Sequence, residues 1–422
     1  MWICRPILTV FKACRKGESS ISTSLLYHGW GIRGYAYRRT EYASHVEFHI
    51  EQVKEFQCPV CASRRVVGRG QVLRKFKAPP IGFRPVTVVL PVQRVECRDC
   101  GVVRQVEVDF ADERRSYTHA FERYALELSL HTTIQAAAVH LGVSWDVVKE
   151  IQKRYYKRKF GKPNLSALRW LAIDEISIGS GHRYLTVVMD LETGAVVFVG
   201  AGKSAEALVP FWPRLQRARA KIQAVAMDMG PAYIAAVLEH LPEAAIVFDH
   251  FHVIKLFNEK LSDLRRDLHS EITEKLHKDV LKGTRWLLLK NPENLDPAKD
   301  ERRRLDEALK LNQPLAAAYY MKEDLRQFWS QKDKAAAQTF LMDWIRRAGS
   351  SGITMLKKMA NTLGAKRSGL LAYYDFRISS GKLEGFNNKI KTMQRQAYGF
   401  RDQEFFMLKI FALHMVKYAL VG

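Results

Sequence analysis

The spacing of apolar positions changes several times along the chain, and each change marks an expected boundary. Residues 1–55 show no steady period, and the glycine-rich run Tyr27–Tyr35 is unsuited to a helix. In 56–110 a β-like stretch, Val86 to Val95, is bounded by Pro79, Pro80 and Pro85, which predicts a small β module. From Ser116 to Phe160 the spacing is helical, with alanines at 136–138 and a break at Gly142; a helical module over 111–165 follows. From Trp170 short β-branched runs alternate with amphipathic stretches, the pattern of an α/β domain over 166–275. The expected strands are Trp170–Ile176, Tyr184–Leu191, Ala195–Gly200, Ile222–Asp228 and Ala244–Asp249. The second and third are joined tightly through Glu192–Gly194 into an antiparallel hairpin. Helices are expected over Ala205–Ala218, Ala232–Leu241 and Val253–Lys275. An all-α insertion rich in leucine, alanine, lysine and glutamate occupies 276–375. The closing stretch, 376–422, carries a helix over Lys382–Ala397 and an apolar one over Glu404–Leu420.

Charge narrows the partners. Lysine and arginine outnumber aspartate and glutamate 67 to 44 in 422 residues, a formal charge of +23, which favours a polyanion and above all nucleic acid. No run of 18 apolar residues is present, and the apolar segment Ile3–Ala13 is followed directly by Arg15 and Lys16, so neither a membrane span nor an export signal is expected. Four of the six cysteines form two CxxC pairs, which suits a metal site in a reducing cytoplasm better than disulfides.

Those pairs, Cys58 with Cys61 and Cys97 with Cys100, flank the β stretch as two knuckles do in a zinc ribbon, four thiolates holding a structural Zn2+. Cys4 and Cys14 stand outside the pattern. Between Cys58 and Arg104 there are ten basic residues and two acids, a surface suited to phosphates. Downstream, Thr133–Leu141, the turn GlyValSer and the stretch from Trp145 follow the plan of a helix-turn-helix, with Ser144 as expected N-cap of the second helix. Seven basic residues and no acid occupy Lys153–Arg169, so the expected DNA-binding residues are Ser144, Trp145, Lys149, Lys153, Arg154, Lys157 and Arg158.

Three acids form the candidate catalytic constellation. Asp174 and Asp228 each end an apolar strand and Glu384 opens a late helix, so that strand ends and helix can share one cleft. Oxygen ligands of this kind hold Mg2+ or Mn2+, and a metal pair activates an attacking oxygen and stabilises a leaving one in phosphodiester displacement. Glu175 is expected on the opposite strand face. Asp190 is either a fourth acid or a turn residue. Asp249 and His252 are placed to orient the cleft or receive a proton.

In combination, LeuAlaIleAspGluIleSer (171–177), AlaMetAspMet (226–229), PheAspHisPheHisValIleLys (248–255) and GlyLysLeuGluGlyPheAsnAsnLysIleLys (381–391) resemble the DDE insertion-sequence transposases of the ISL-three (ISL3) family. The resemblance covers about residues 22–420. It implies an RNase H-like catalytic core interrupted by the helical insertion, with Asp174, Asp228 and Glu384 as the DDE triad and Asp249 and His252 as the AspxxHis motif of related transposases. It implies double-stranded DNA as partner, both terminal inverted repeats and target DNA, a homodimer pairing two ends, and a bacterial, nucleoid-associated setting. Lys389 and Arg395 lie on the glutamate's helix within reach of phosphates. Two rivals remain: a non-catalytic zinc and helix-turn-helix regulator, and an RNase H-type nuclease that cuts without joining.

Overall fold

The computed structural model describes residues 25–53, 55–179, 183–271 and 284–413. Cys4 and Cys14, the far end of the helix expected to reach Lys275 and that of the helix expected to reach Leu420 lie outside them. The described residues divide into two compact units, those up to Tyr155 and those from Tyr156 onward.

The first unit is built on a five-stranded sheet: β1 (Tyr35–Tyr42), β2 (Val46–Gln52), β3 (Val66–Ile81), β4 (Arg84–Cys97) and β5 (Val103–Gln105). The order is β1-β2-β4-β3, with β5 also paired to β4. β1 and β2 form an antiparallel hairpin and β2 runs parallel to β4. The expected division at residue 55 therefore crosses a continuous sheet. β1 carries Arg38, Arg39 and Glu41, whose exposure on an edge strand masks the alternation that would mark it. The prolines expected to bound the β stretch lie within it, Pro79 and Pro80 in β3 and Pro85 in β4, near the tip of the long hairpin. Phe48, Ile50, Phe76, Val88 and Leu90 fill the core below.

Three helices follow: α1 (His119–His131), α2 (Ile134–Leu141) and α3 (Trp145–Phe160). Thr118 and Thr133 cap the first two, their hydroxyls accepting from the amides of Phe121 and Ala136. Gly142 ends α2 in the left-handed region at φ 59°, where its amide and that of Val143 reach back to α2 carbonyls. Ala137 and Ala138 are buried beside Phe121, Val148 and Ile151, the small side chains letting α2 and α3 approach. The helices are joined to the sheet through Lys77 of β3, whose amide donates to Ser116 and whose carbonyl accepts from Thr118.

The second unit contains a mixed sheet of β6 (Trp170–Gly179), β7 (Arg183–Asp190), β8 (Val196–Ala201), β9 (Ala224–Met227) and β10 (Ala245–Phe248), in the order β10-β9-β6-β7-β8. β6, β7 and β8 are antiparallel neighbours, while β9 and β10 run parallel to β6. This is the expected RNase H-like core. On one face Leu171, Ile173, Val225 and Met227 pack with α4 (Trp212–Ala218) and α5 (Pro231–His240). On the other, Ala172, Ile176 and Val187 meet the last two helices, α14 (Gly381–Gln396) and α15 (Gln403–Ala412). Between β10 and α14 the chain leaves the sheet. α6 (His250–Glu271) packs with α7 (Arg285–Leu289), α8 (Glu301–Leu311), α9 (Gln313–Arg326), α10 (Lys334–Ser350), α11 (Thr354–Ala365) and α12 (Arg367–Leu371) around Phe257, Leu341 and Trp344. α13 (Tyr373–Phe376) leads back to α14. The insertion thus takes in α6, which the sequence pattern assigned to the catalytic core; its apolar stripe, Val253, Phe257 and Leu261, faces the insertion's helices.

Candidate catalytic and DNA-binding sites

Register explains why the acids gather. Ala172 of β6 pairs with Ala226 of β9, and Ala226 with Val247 of β10. Continuing those pairings toward the carboxyl ends brings Asp174, Asp228 and Asp249 into one row across three parallel neighbours. Strand carboxyl ends are where α/β sheets open a cleft. Asp174 shares the face of Ala172 and Ile176, the face covered by α14, whereas Glu175 takes the opposite side with Ile173, as alternation requires.

α14 is seated on this row by hydrogen bonds. Asn387 Nδ2 donates to Asp174 Oδ2 at 2.8 Å, and Ser380, at the helix start, donates its hydroxyl to Asp249 Oδ2. Glu384 lies between them in the first turn, one helical turn before Asn387 and on the same side. Neither Ser380 nor Asn387 was singled out from sequence; spacing from Glu384 was the available signal. Asn387 Oδ1 is buried without a hydrogen-bond partner.

Asp249 is fully buried and is held by two imidazoles, His250 Nδ1 at 3.2 Å and His252 Nδ1 at 3.5 Å, besides Ser380. Burial pushes its carboxyl upward, but the adjoining His250 and His252 imidazoles and the Ser380 hydroxyl outweigh it and hold it well below the usual range. His252 Nε2 faces Asp174 at 3.9 Å. Burial opposes protonating His252, yet Asp249 and Asp174 outweigh it and raise its pKa. Asp174 is raised, first by burial and also by Asp228, against the pull of His252. His250, also raised, was not anticipated and feels Glu384 as well as Asp249.

The structure therefore groups Asp174, Asp228, Asp249 and His252, with Glu384 on the covering helix. It does not draw Asp174, Asp228 and Glu384 to mutual ligand distance. Among the described residues, three or more ligating atoms within 4.8 Å of one another occur only for the four cysteines and for Glu41, Glu47 and His49. Asp190 takes the turn role, accepting from the amides of Glu192 and Thr193 and from the Thr193 hydroxyl. Lys389 and Arg395 are exposed on α14.

In the first unit the four thiols converge: Cys58 to Cys100 is 3.6 Å, Cys61 to Cys97 3.5 Å and Cys61 to Cys100 3.6 Å. Four sulfurs about 2.3 Å from a tetrahedral zinc stand about 3.8 Å apart, so the cluster fits a structural Zn2+ with little movement. Its place matters: the pairs lie at the open end of the β3–β4 hairpin, Cys97 ending β4 and Cys58 and Cys61 preceding β3.

Of the expected DNA-binding residues, Ser144, Trp145, Lys157 and Arg158 are exposed, and Lys149 lies 5.1 Å from the centre of the Trp145 ring. Arg154 is engaged internally instead, reaching Asp112 at 2.8 Å, Glu122 at 3.0 Å and the Tyr117 hydroxyl at 3.1 Å. That network holds α3 against α1; the basic run concealed it. Lys157 pairs with Glu404 at 3.1 Å, an exposed contact of small energetic weight.

Three family models match in chain order. The zinc-finger of transposases IS204, IS1001, IS1096 and IS1165 covers residues 54–100, the helix-turn-helix domain of transposase family ISL3 covers 106–156, and a transposase model covers 171–410. The transposase for insertion sequence element IS1001 of Bordetella parapertussis is 32% identical over 390 residues, which is 90% of this chain and 95% of that protein. The chain belongs to the ISL3 family of transposases. A further relative is the transposase for insertion sequence element IS1557 of Mycobacterium tuberculosis, 29% identical over 360 residues and covering 80% of each chain. Among solved structures, the Drosophila P element transposase strand transfer complex aligns with a TM-score of 0.41 and 14% identity, over 73% of this chain and 94% of that one. This ISL3 transposase is thus a DDE enzyme with a DNA-binding helix-turn-helix and a zinc ribbon, and no described helix is long and apolar enough to cross a membrane.

Proposed function

We propose that this transposase binds the terminal inverted repeats of its insertion sequence, cleaves a strand at each end and joins the freed 3′-hydroxyls to target DNA, with Asp174, Asp228 and Glu384 as its catalytic carboxylates. The observation that carries the assignment is the hydrogen bond from Asn387 to Asp174, which brings the helix bearing Glu384 onto the row of strand-end aspartates.

The donor set fits a hard divalent cation. Asp174 and Asp228 feel each other's charge in a partly buried cleft, where a cation relieves both their repulsion and their desolvation. Asp174, Asp228 and Glu384 are the residues that would hold Mg2+ or Mn2+; when bound, the metal supplies acidity to the attacking hydroxyl or water and charge relief to the leaving oxygen. Asn387 is a positioning residue: it holds Asp174 Oδ2 while the Glu175 amide donates to Oδ1, and together they fix the carboxylate's orientation in the cleft. Asp249 fixes His252, and protonated His252 beside Asp174 lowers the cost of gathering negative phosphate and carboxylate charge there. In the first unit, Ser144, Trp145, Lys149 and Lys153 face the repeat, with Lys157 and Arg158 continuing the basic run. Two ends must be cut together, so a homodimer is the working assembly.

The test uses labelled terminal-repeat DNA with Mg2+ or Mn2+. The unaltered chain should cleave and join; Asp174→Ala, Asp228→Ala and Glu384→Ala should each abolish both while keeping repeat binding. Full cleavage by any one variant removes that acid from the site. Cutting without joining would make the chain a nuclease, and binding without cutting a regulator.

A further inference from the structure

β3 and β4 form a hairpin whose tip is built to project. From Val66 to Val95 it contains six basic residues, Arg69, Arg74, Lys75, Lys77, Arg84 and Arg94, and no acidic one. Ile81 pairs with Arg84 across a two-residue turn of Gly82 and Phe83, and Gly82 at φ 60° takes the position that such turns reserve for glycine. Pro79, Pro80 and Pro85 stiffen the strands on either side. Phe83, the residue thus presented, is 97% exposed. A large apolar ring held fully in water by a rigid tip contributes nothing to this fold.

The tip is also fixed relative to the helix-turn-helix. Lys77 bonds through its backbone to Ser116 and Thr118, and its ammonium donates to the carbonyl of Gly142, the turn residue before α3. A cleft of about 490 Å3 opens between hairpin and turn; His45, Lys77, Phe83 and His140 are among its lining residues, none of which is acidic. Such an arrangement suits a strand of phosphates passing between tip and turn.

We propose that Phe83 is a wedge that enters duplex DNA beside the bound helix-turn-helix and partly unstacks one base step, with Arg84 and Lys77 on the flanking phosphates. Apolar side chains inserted in this way kink DNA from the minor groove. Arg69 and Lys75 are paired with Glu96 and Glu47, and the positive charge that remains toward the tip selects DNA over a protein partner. The proposal rests on the DNA-binding reading above, but on no particular DNA sequence.

The experiment uses the full zinc-loaded chain with two duplexes, one bearing the terminal repeat and one of mixed sequence, each labelled stepwise with 2-aminopurine. The unaltered chain should raise fluorescence at a single step of the repeat duplex. Phe83→Ala should bind that duplex about tenfold more weakly and lose the signal, in keeping with the value of one aromatic–base stack. Phe83→Trp should retain both, and all three proteins should match in zinc content and melting temperature, since the ring makes no internal packing. An unchanged signal and affinity in Phe83→Ala would overturn the proposal. So would normal DNA behaviour with a loss of self-association in sedimentation, which would assign the ring to a second copy of the chain. If the unaltered chain prefers neither duplex, repeat recognition fails, and the mixed duplex still reports whether Phe83 unstacks bases.

Discussion

Asp249 combines complete burial with the close approach of His250, His252 and Ser380, and its charge raises the pKa of both histidines. His252, held above the ordinary imidazole pKa of about 6.5, stabilises the fold fully below that value and loses its contribution as pH rises through the raised one. Asp249, held below the ordinary value of about 3.9, contributes above it and loses its effect as pH falls through the lowered one. The cluster is therefore most stabilising between those ordinary values. Asp249→Asn should lower stability by about 3 kcal/mol in that window, leave a smaller deficit toward alkaline pH, and drop the His252 pKa measured by NMR. Asn387→Ala should slow cleavage and joining while leaving repeat binding intact, and Asn387→Asp should slow them further at equal binding, because a carboxylate would face Asp174. What the sequence showed of this site followed from acids at the ends of apolar runs. Ser380 and Asn387 were marked only by their spacing from Glu384, since their partners Asp249 and Asp174 lie on other elements, and His250 was masked by the AspxxHis pattern that singles out His252.

Among the elements, the strands of the second unit were legible nearly to their ends, since apolar runs buried on both faces have few competing readings. β6 nonetheless continues past the expected Ile176 to Gly179, its last residues alternating between cover and solvent. β1 was not legible because its charged edge-strand residues carry no clean period, whereas β2 does alternate, Val46, Phe48 and Ile50 facing the core, but over too short a run to stand out in a glycine-rich, mixed segment. The insertion's reach was understated because an amphipathic helix does not declare which partner its stripe will meet. α12 makes that partnership demanding. A Cβ on Gly369 would stand 2.4 Å from the Phe248 ring at the end of β10, next to Asp249. Gly369→Ala should cost about 2 kcal/mol by overpacking and should depress strand cleavage through β10, measured as a lower melting temperature and reduced turnover at unchanged repeat affinity.

For the molecule as a whole, the +23 charge predicts binding that weakens steeply with salt, and the slope of affinity against salt should become shallower by about one for each phosphate-contacting lysine replaced. Zinc should matter to the first unit alone. Mercurial titration should release the ion and lower repeat affinity, with the sheet signal of the second unit preserved, because the thiolates close the base of the hairpin that carries the basic surface.

The helices from α6 to α13 stand between the strand-end aspartates and Glu384 in chain order. A ribosome therefore delivers the DNA-reading unit first, then the aspartates, and the proposed third carboxylate only after the whole insertion has emerged. With the repeat-binding and carboxylate roles proposed above, a product halted before residue 384 should occupy an end of the element without breaking it, and adding such a truncated chain to the full one should lower the yield of cleaved repeat DNA.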